Sequence, residues 1–130
     1  MSNTAIVEQF VKALGAGDAV TGLPLLAPNV QVSEPAGLPM GGEYDGLEAF
    51  LGFFAQVADT YDVKIHDVNV IDGGDIAIAL IDLTWTSLAT TKKLDTQFVE
   101  IYTTDEDKIT SISVFPKDTR ALYELTLPTQ

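Results

Sequence analysis

The sequence predicts an α+β domain in which helices pack on one face of an antiparallel sheet. Apolar residues recur at helical spacing up to about Val57, and the period changes to two from about Tyr61. Short turns such as Asp72-Gly73-Gly74-Asp75 separate the later segments, which indicates hairpins and excludes parallel crossovers. Because the chain has 130 residues and shows no repeat or linker, we expect a single domain over residues 1–130.

The N-terminal half is predicted to hold three helices and one strand. The first helix covers residues 6–14, and Asp18 is a suitable N-cap for a second, short helix that Pro28 ends. A strand follows, and one of its faces carries Val30, Val32 and Glu34. Residues 35–42 are rich in proline and glycine and are predicted to lack regular structure, and the third helix begins after Gly46.

The C-terminal half is predicted to be a meander of four strands followed by a short helix from Asp118. The strands cover residues 61–71, 75–88, 94–104 and 109–116. In the second of these strands, alternation places the odd positions against the helices and Asp82 on the opposite face. In the first, alternation places His66 on one face with Val68 and Val70, and Tyr61, Val63 and Ile65 on the other. His66 and Asp67 then point to opposite faces and cannot form a catalytic pair.

Composition excludes several classes of partner. Nineteen acidic residues against seven basic ones give a net charge of −12, which repels nucleic acids and anionic membranes. With no cysteine and only one histidine, the chain cannot form disulfides, zinc–cysteine sites or any site that needs two imidazoles. We therefore expect no metal and no cofactor. The first eight residues lack the basic and apolar regions of a secretory signal, so a cytoplasmic location is expected.

Two glutamates on otherwise apolar strand faces are the most informative feature of the sequence. Glu34 follows Val30 and Val32, and Glu100 lies between Phe98 and Tyr102. Burial of a carboxyl group raises its pKa, and two such groups in one cavity push their pKa values apart. Such a pair provides a general base and a neutral hydrogen-bond donor. The alternative is that both groups reach solvent near strand ends, or that Glu100 pairs with a lysine across the sheet.

Two further polar residues are secondary candidates. His66 is a lone histidine in a strand, for which a structural or surface role is more common than a catalytic one. Asp118 precedes a helical segment, and an N-cap role is favoured for it. Trp85, Phe98 and Phe115 are candidates for lining a ligand cavity, although aromatic residues at strand spacing usually belong to the core.

The order of these elements resembles the nuclear-transport-factor-two-like superfamily, in particular its SnoaL-like polyketide cyclase and ketosteroid isomerase branch. The resemblance extends from about Ile6 to Leu125. It is carried, in this order, by Phe10 to Asp18, Leu38 to Gly46, His66-Asp67-Val68 and Ser113 to Leu122. It implies a cone-shaped α+β barrel, a curved antiparallel sheet whose mouth the N-terminal helices close, with a pocket inside. Because this fold hosts enzymes, binding proteins and scaffolds, the resemblance identifies the architecture better than the function.

The resemblance also implies candidate site residues. Glu34-Pro35 stands where ketosteroid isomerases carry a catalytic Asp-Pro, and Glu100 stands where they carry a protonated aspartic acid. The family's oxyanion tyrosine falls on Phe10, which has no hydroxyl, so an efficient steroid isomerase is not expected. The predicted pocket lining is Phe10, Met40, Tyr44, Phe54, Trp85, Phe98, Tyr102 and Val114.

Three functions remain open from the sequence. In an enzyme, Glu34 would abstract a proton beside the carbonyl of an apolar cyclic compound, and protonated Glu100 would hydrogen-bond the enolate oxygen. In a binding module, the same pocket would hold an apolar small molecule without turnover. In an interaction scaffold, the open sheet face with Ile76, Ile78 and Leu80 would be buried in a homodimer.

Overall fold

The computed structural model describes residues 2–128 and has the predicted α+β architecture. The helices are α1 Asn3–Gly15, α2 Ala19–Gly22, α3 Leu47–Thr60 and α4 Thr119–Glu124, with a 3₁₀ turn at Leu23–Leu25. The strands are β1 Leu26–Glu34, β2 Gly42–Asp45, β3 Tyr61–Asp72, β4 Ala77–Ser87, β5 Lys93–Asp105 and β6 Lys108–Pro116. The helix after Asp118 and the four strands of the meander are confirmed, with ends that differ from the prediction by at most two residues.

The six strands form one curved, open sheet in the order β2-β1-β6-β5-β4-β3. The helices α1 and α3 pack on its inner face. Neighbouring strands pair antiparallel except β1 and β6, which are parallel. The expectation of a purely antiparallel sheet is therefore wrong for this pair. A short turn fixes the relative direction only of two strands that follow each other in the chain. The elements β2, α3, β3, β4 and β5 lie between β1 and β6, so no turn fixes the direction of this pair.

The strand β1 begins earlier than predicted, and a second short strand follows it. Pro28 was expected to end a helix, but it lies exposed inside β1 beside a register shift between Leu26 and Gln31. A proline is tolerated there because the pairing is already interrupted. The strand β2 pairs with β1, with Tyr44 opposite Val32, directly after the segment predicted as a loop.

A β-bulge in β3 changes which residues face the helices. Ile65 lies opposite Leu83, but the next inner residue, Val68, lies opposite Ile81, with a register shift between Ile65 and Asp67. One extra residue at this point keeps Val68 on the inner face and leaves both His66 and Asp67 exposed on the outer face. The predicted alternation through His66, Val68 and Val70 is wrong because it assumed an uninterrupted strand.

The inner face of β4 is buried as predicted. Its odd positions from Ala77 to Trp85 are all buried, and Asp82 lies on the outer face. The outer face also carries an exposed apolar row in which Leu80, Val99 and Phe115 lie opposite one another on β4, β5 and β6. Phe115 is 55% exposed and therefore does not line an internal cavity. Burial of this face in a homodimer stays a prediction.

Side chains cap the N-termini of α1, α2 and α4. Ser2 accepts a hydrogen bond from the backbone N–H of Ala5, and Asp18 accepts one from that of Thr21. These two bonds lower the number of unpaired N–H groups in the first turns of α1 and α2. Within residues 2–128, none of the helices has the length and apolar character needed to cross a bilayer.

Candidate functional site

A cavity of about 600 Å³ lies between the inner face of the sheet and the helices α1 and α3. This volume is suited to a ligand of drug size. Eight aromatic side chains line it: Phe10, Phe50, Phe53, Phe54, Tyr61, Trp85, Phe98 and Tyr102.

Alternation along three strands positions most of the cavity wall. On β5, the inner positions are Phe98, Glu100 and Tyr102, and the neighbouring strands add Ile81, Leu83 and Trp85 from β4 and Ile112 and Val114 from β6. Glu34 enters from the end of β1. The rings of α3 close the opposite side. A wall built largely from strands is rigid, so the cavity is preformed.

The aromatic rings pack against one another around the cavity. The Trp85 indole stacks on Phe98, with ring centroids 5.5 Å apart and planes at 22°. Tyr61 packs against Trp85 in an edge-to-face contact with ring centroids 4.9 Å apart. At the other side, Phe10 meets Tyr102 edge to face at 6.2 Å. Such offset and edge contacts are the favoured geometries of aromatic pairs. The rings are therefore held in place before any ligand enters.

Glu100 is the deeper of the two cavity carboxyl groups and has one hydrogen-bond donor. The Tyr102 hydroxyl donates to Glu100 Oε1 over 2.6 Å. Burial raises the pKa of Glu100, and the hydrogen bond from Tyr102 opposes that rise because it favours the ionised form. Burial, with the charge and hydrogen bond of Glu100, raises the Tyr102 pKa well above its ordinary value, so the phenol keeps its proton.

Glu34 lines the same cavity but accepts no hydrogen bond from a side chain or backbone group within residues 2–128. Burial raises the pKa of Glu34 to about 8, and the charge of Glu100 makes a smaller contribution to the same rise. Glu34 therefore keeps its proton at neutral pH, and of the two carboxyl groups only Glu100 has a hydrogen-bond donor that favours its ionised form. The structure brings the two carboxyl groups predicted from the sequence into one cavity with different surroundings.

Comparison with known proteins places this fold and cavity in a family. The SnoaL-like domain family matches residues 7–112. The chain belongs to this family. No curated protein matches the sequence.

Solved structures share the fold of this SnoaL-like domain at low sequence identity. An NTF2-like protein from Burkholderia thailandensis E264 superposes with a TM-score of 0.89 at 21% identity, covering 98% of this chain and 99% of that one. A candidate polyketide cyclase from Pseudomonas putida KT2440 gives a TM-score of 0.78 at 20% identity, with 88% and 91% covered. TerC, co-crystallised with polyporic acid, gives 0.84 at 23% identity, with 95% and 96% covered. These likenesses establish the shared fold.

Two residues predicted to line the pocket of the SnoaL-like domain do not line it. The Tyr44 hydroxyl donates to the Met40 carbonyl over 2.5 Å, and the Tyr44 ring packs on Phe53 with centroids 5.1 Å apart. Neither Met40 nor Tyr44 borders the cavity, although the charge of Glu34 contributes, after burial, to raising the pKa of Tyr44. The other predicted lining residues, which do border it, are Phe10, Phe54, Trp85, Phe98, Tyr102 and Val114.

The secondary candidates His66 and Asp118 lie in a groove on the outer face, away from the cavity. Asp118 caps α4 by accepting a hydrogen bond from the backbone N–H of Ala121, as expected. The Thr84 hydroxyl donates its proton to Asp95, with the oxygens 2.5 Å apart, so it must accept from His66 Nε2 at 2.7 Å. These two hydrogen bonds orient the His66 ring and fix its proton on Nε2, but they do not bring the ring near Glu34 or Glu100.

Several residues that line the cavity of the SnoaL-like domain are not predicted as lining residues from the sequence. Phe50 and Phe53 are one helical turn apart and stack with centroids 6.0 Å apart, and Ile112 faces inward two positions before Val114. Helical and strand periodicity mark all three as buried. The sequence does not distinguish a buried side chain that lines a cavity from one that fills the core. Within residues 2–128, no group of three His, Asp or Glu side chains is arranged to hold a metal ion.

Proposed function

We propose that this domain catalyses proton transfer on an apolar ring compound that carries a carbonyl group. The observation that carries the proposal is the pair of cavity carboxyl groups with unequal surroundings, in which Tyr102 donates to Glu100 and burial keeps the proton on Glu34. One ionised and one protonated carboxyl group are what general base and general acid catalysis require.

In the proposed reaction, the Glu100 carboxylate takes a proton from the carbon beside the carbonyl. The Glu34 carboxyl group hydrogen-bonds or protonates the carbonyl oxygen, so that an enol forms. When the enol is conjugated with a second C=C bond, Glu100 returns its proton to the far carbon of the dienol and the enol O–H proton returns to Glu34, which gives an isomer. In ring closure the enol carbon attacks a second carbonyl group, whose oxygen takes the proton from Glu100 while the enol O–H proton returns to Glu34. Both outcomes regenerate the two carboxyl groups and need no cofactor.

This division of roles is the reverse of the one expected from the resemblance, in which Glu34 was the base. The reversal follows from the Tyr102 hydroxyl, which stabilises negative charge on Glu100 and has no counterpart at Glu34. Phe10 supplies no donor but contacts the Tyr102 ring. Similarity to a candidate polyketide cyclase, and to TerC co-crystallised with polyporic acid, supports a small-molecule ligand in this cavity.

Exchange of the α-protons of 1-tetralone in D₂O, followed by NMR, tests the proposal. We expect the native protein to accelerate exchange and Glu100→Gln to reduce the enzymatic rate at least about 100-fold, the usual contribution of a general base. Asp95→Asn is the matched control, because Asp95 lies on the outer face of the same strand. Equal exchange in Glu100→Gln and native protein would reject Glu100 as the base.

The alternative function is ligand binding without turnover, which the preformed aromatic cavity supports by itself. The chain has one tryptophan, and its indole lines the cavity, so its fluorescence reports occupancy directly. Fluorescence quenching by 1-tetralone without any acceleration of exchange would favour this alternative.

A further inference from the structure

The cavity contains acidic groups without a basic partner. Asp18, Glu34 and Glu100 border it, and none of the described residues that line it is lysine, arginine or histidine. Asp18 lies at the mouth, where it caps α2, and the two glutamates lie among the rings. A ligand that reaches the interior therefore meets carboxyl groups and no basic side chain among the described residues.

The basic residues of the chain lie elsewhere. Lys12 projects from α1 on the side away from the cavity and pairs with Glu8 at 2.8 Å, and Arg120 pairs with Glu124 at 2.9 Å. Lys64, Lys93 and Lys117 are exposed. Because the net charge is −12, the field of the whole protein has the same sign as the charge in the cavity. An anionic ligand is disfavoured both during approach and after entry.

The aromatic wall adds a second, independent preference. Positive groups are attracted to the faces of tryptophan, tyrosine and phenylalanine rings, most strongly where water is excluded. Here Trp85 and Phe98 stack on one side, and Phe50, Phe53 and Phe54 cluster on α3. Aromatic faces that surround acidic groups form the kind of site that recognises organic cations.

We propose that the cavity selects its ligand by charge, and that the preferred ligand is an apolar ring compound that carries a protonated amine. The ammonium group lies between Glu34 and Glu100, and the ring system lies against Trp85, Phe98 and the rings of α3. This inference goes beyond the proposed function: it names the ligand class that the same cavity binds and does not depend on turnover, because an ammonium group between the two glutamates occupies the place that the reaction gives to the carbonyl group.

An ammonium group supplies hydrogen-bond donors to carboxyl oxygens that the described residues leave without them. Glu34 accepts no hydrogen bond from the described residues, and Glu100 accepts only the one from Tyr102, so both have oxygen lone pairs for N–H donors. An adjacent cation stabilises the ionised form of Glu34, so its carboxyl proton leaves to solvent as the ion pair forms. Ligand binding is then accompanied by release of about one proton at pH 7.

A matched series of tetralin derivatives tests the charge preference on the native protein. The probes are 2-aminotetralin, 2-tetralol and tetralin-2-carboxylate, which share one ring system and are cationic, neutral and anionic at pH 7. Dissociation constants are measured by Trp85 fluorescence at fixed ionic strength. We expect the amine to bind about tenfold more tightly than the alcohol, and the carboxylate to bind most weakly.

Variants of the two glutamates, and a measurement of the protons released on binding, identify the groups that cause the preference for the amine. Glu34→Gln and Glu100→Gln are each expected to remove most of the preference for the amine over the alcohol, whereas Asp95→Asn, outside the cavity, leaves the whole series unchanged. Calorimetry in two buffers of different ionisation enthalpy measures the released proton. Equal or tighter binding of the carboxylate, or an amine preference that survives both glutamine variants, would overturn the inference.

The outcomes separate this inference from the proposed function. An amine preference without exchange of 1-tetralone supports charge selection and rejects the proton-transfer activity for that ketone. Exchange of 1-tetralone without an amine preference supports the activity and rejects charge selection.

Discussion

The strand β5 carries carboxyl groups on both of its faces, and their surroundings are opposite. On the outer face, Asp95 accepts a hydrogen bond from Thr84, and its neighbour Asp82 on β4 accepts one from Gln97 at 2.9 Å. Both outer aspartates border an open groove. On the inner face, Glu100 has only the Tyr102 hydroxyl, and Glu34, on β1, has no donor among the described residues.

This difference shows that the side of the sheet, rather than the residue type, determines what a carboxyl group does here. The outer aspartates accept hydrogen bonds from nearby polar side chains beside an open groove. The inner ones border an aromatic cavity, where burial opposes ionisation and a proton is held at neutral pH. The inner pair can therefore exchange protons with a ligand, whereas the outer pair adds charge and hydrogen bonds at the surface.

The largest expected contrast between the two faces is in the pH dependence of stability. The pKa of Glu34 is about 8 in the folded protein against 4.5 ordinarily, so the folded state binds a proton that the unfolded state has lost between these values. The resulting stabilisation is fully present below about pH 4.5 and is lost as pH rises through about 8, a change on the order of 4 kcal/mol. Denaturant unfolding at several pH values measures it.

Glu34→Gln is expected to remove most of this loss of stability, because glutamine has no proton to release. Asp82→Asn, on the outer face, is the control and should retain the loss. A Glu34→Gln protein whose free energy of unfolding falls with pH as steeply as that of the native protein would contradict the assignment.

A smaller contrast is expected when an apolar side chain is removed from each face of β5. Phe98 is 6% exposed and stacks on Trp85, so Phe98→Ala should lower the free energy of unfolding by about 3 kcal/mol. Val99 is 37% exposed on the outer face, and Val99→Ala should cost about 0.5 kcal/mol. Urea denaturation of the two variants gives the comparison. Equal losses would mean that the outer face is as well packed as the cavity wall.

The smallest contrast concerns the hydroxyl donors. Tyr102→Phe removes the donor to Glu100 and should raise the pKa of that carboxyl group, which moves the acid limb of the pH–rate profile upward by about one pH unit. Thr84→Val removes the donor to Asp95 and should leave the profile in place. The readout is 1-tetralone exchange from pH 4 to 9. An unmoved limb in Tyr102→Phe would show that Tyr102 does not tune Glu100.

Much of the fold could be predicted from the sequence because its signals are local. The change of period near Tyr61 and the turns at 72–75 and 105–108 located four strands. Alternation alone placed Glu34 and Glu100 on inward faces. The same reasoning failed in β3, because a bulge at His66 inserts one residue and no local pattern marks the insertion.

Other features depended on contacts between distant segments. The parallel pairing of β1 with β6 and the addition of β2 at the sheet edge leave no trace in the spacing of apolar residues. Met40 and Tyr44 were expected to line the cavity, but they do not border it. The Tyr44 hydroxyl donates to the Met40 carbonyl, and the Tyr44 ring packs on Phe53. Which buried residues border the empty space depends on how α3 packs against the sheet.

The sequence by itself determined the α+β class, the faces of β4 and β5, and the position of two glutamates on otherwise apolar strand faces, because periodicity and turn chemistry act over a few residues. Only the tertiary structure decided that these glutamates share one cavity. The strand β6 lies between β1 and β5, and its parallel pairing with β1 brings Glu34 to the same concave face as Glu100. The pairing of distant strands depends on burying the apolar face of every strand on the same side of the sheet. The resulting packing also determines the unequal surroundings of the two carboxyl groups.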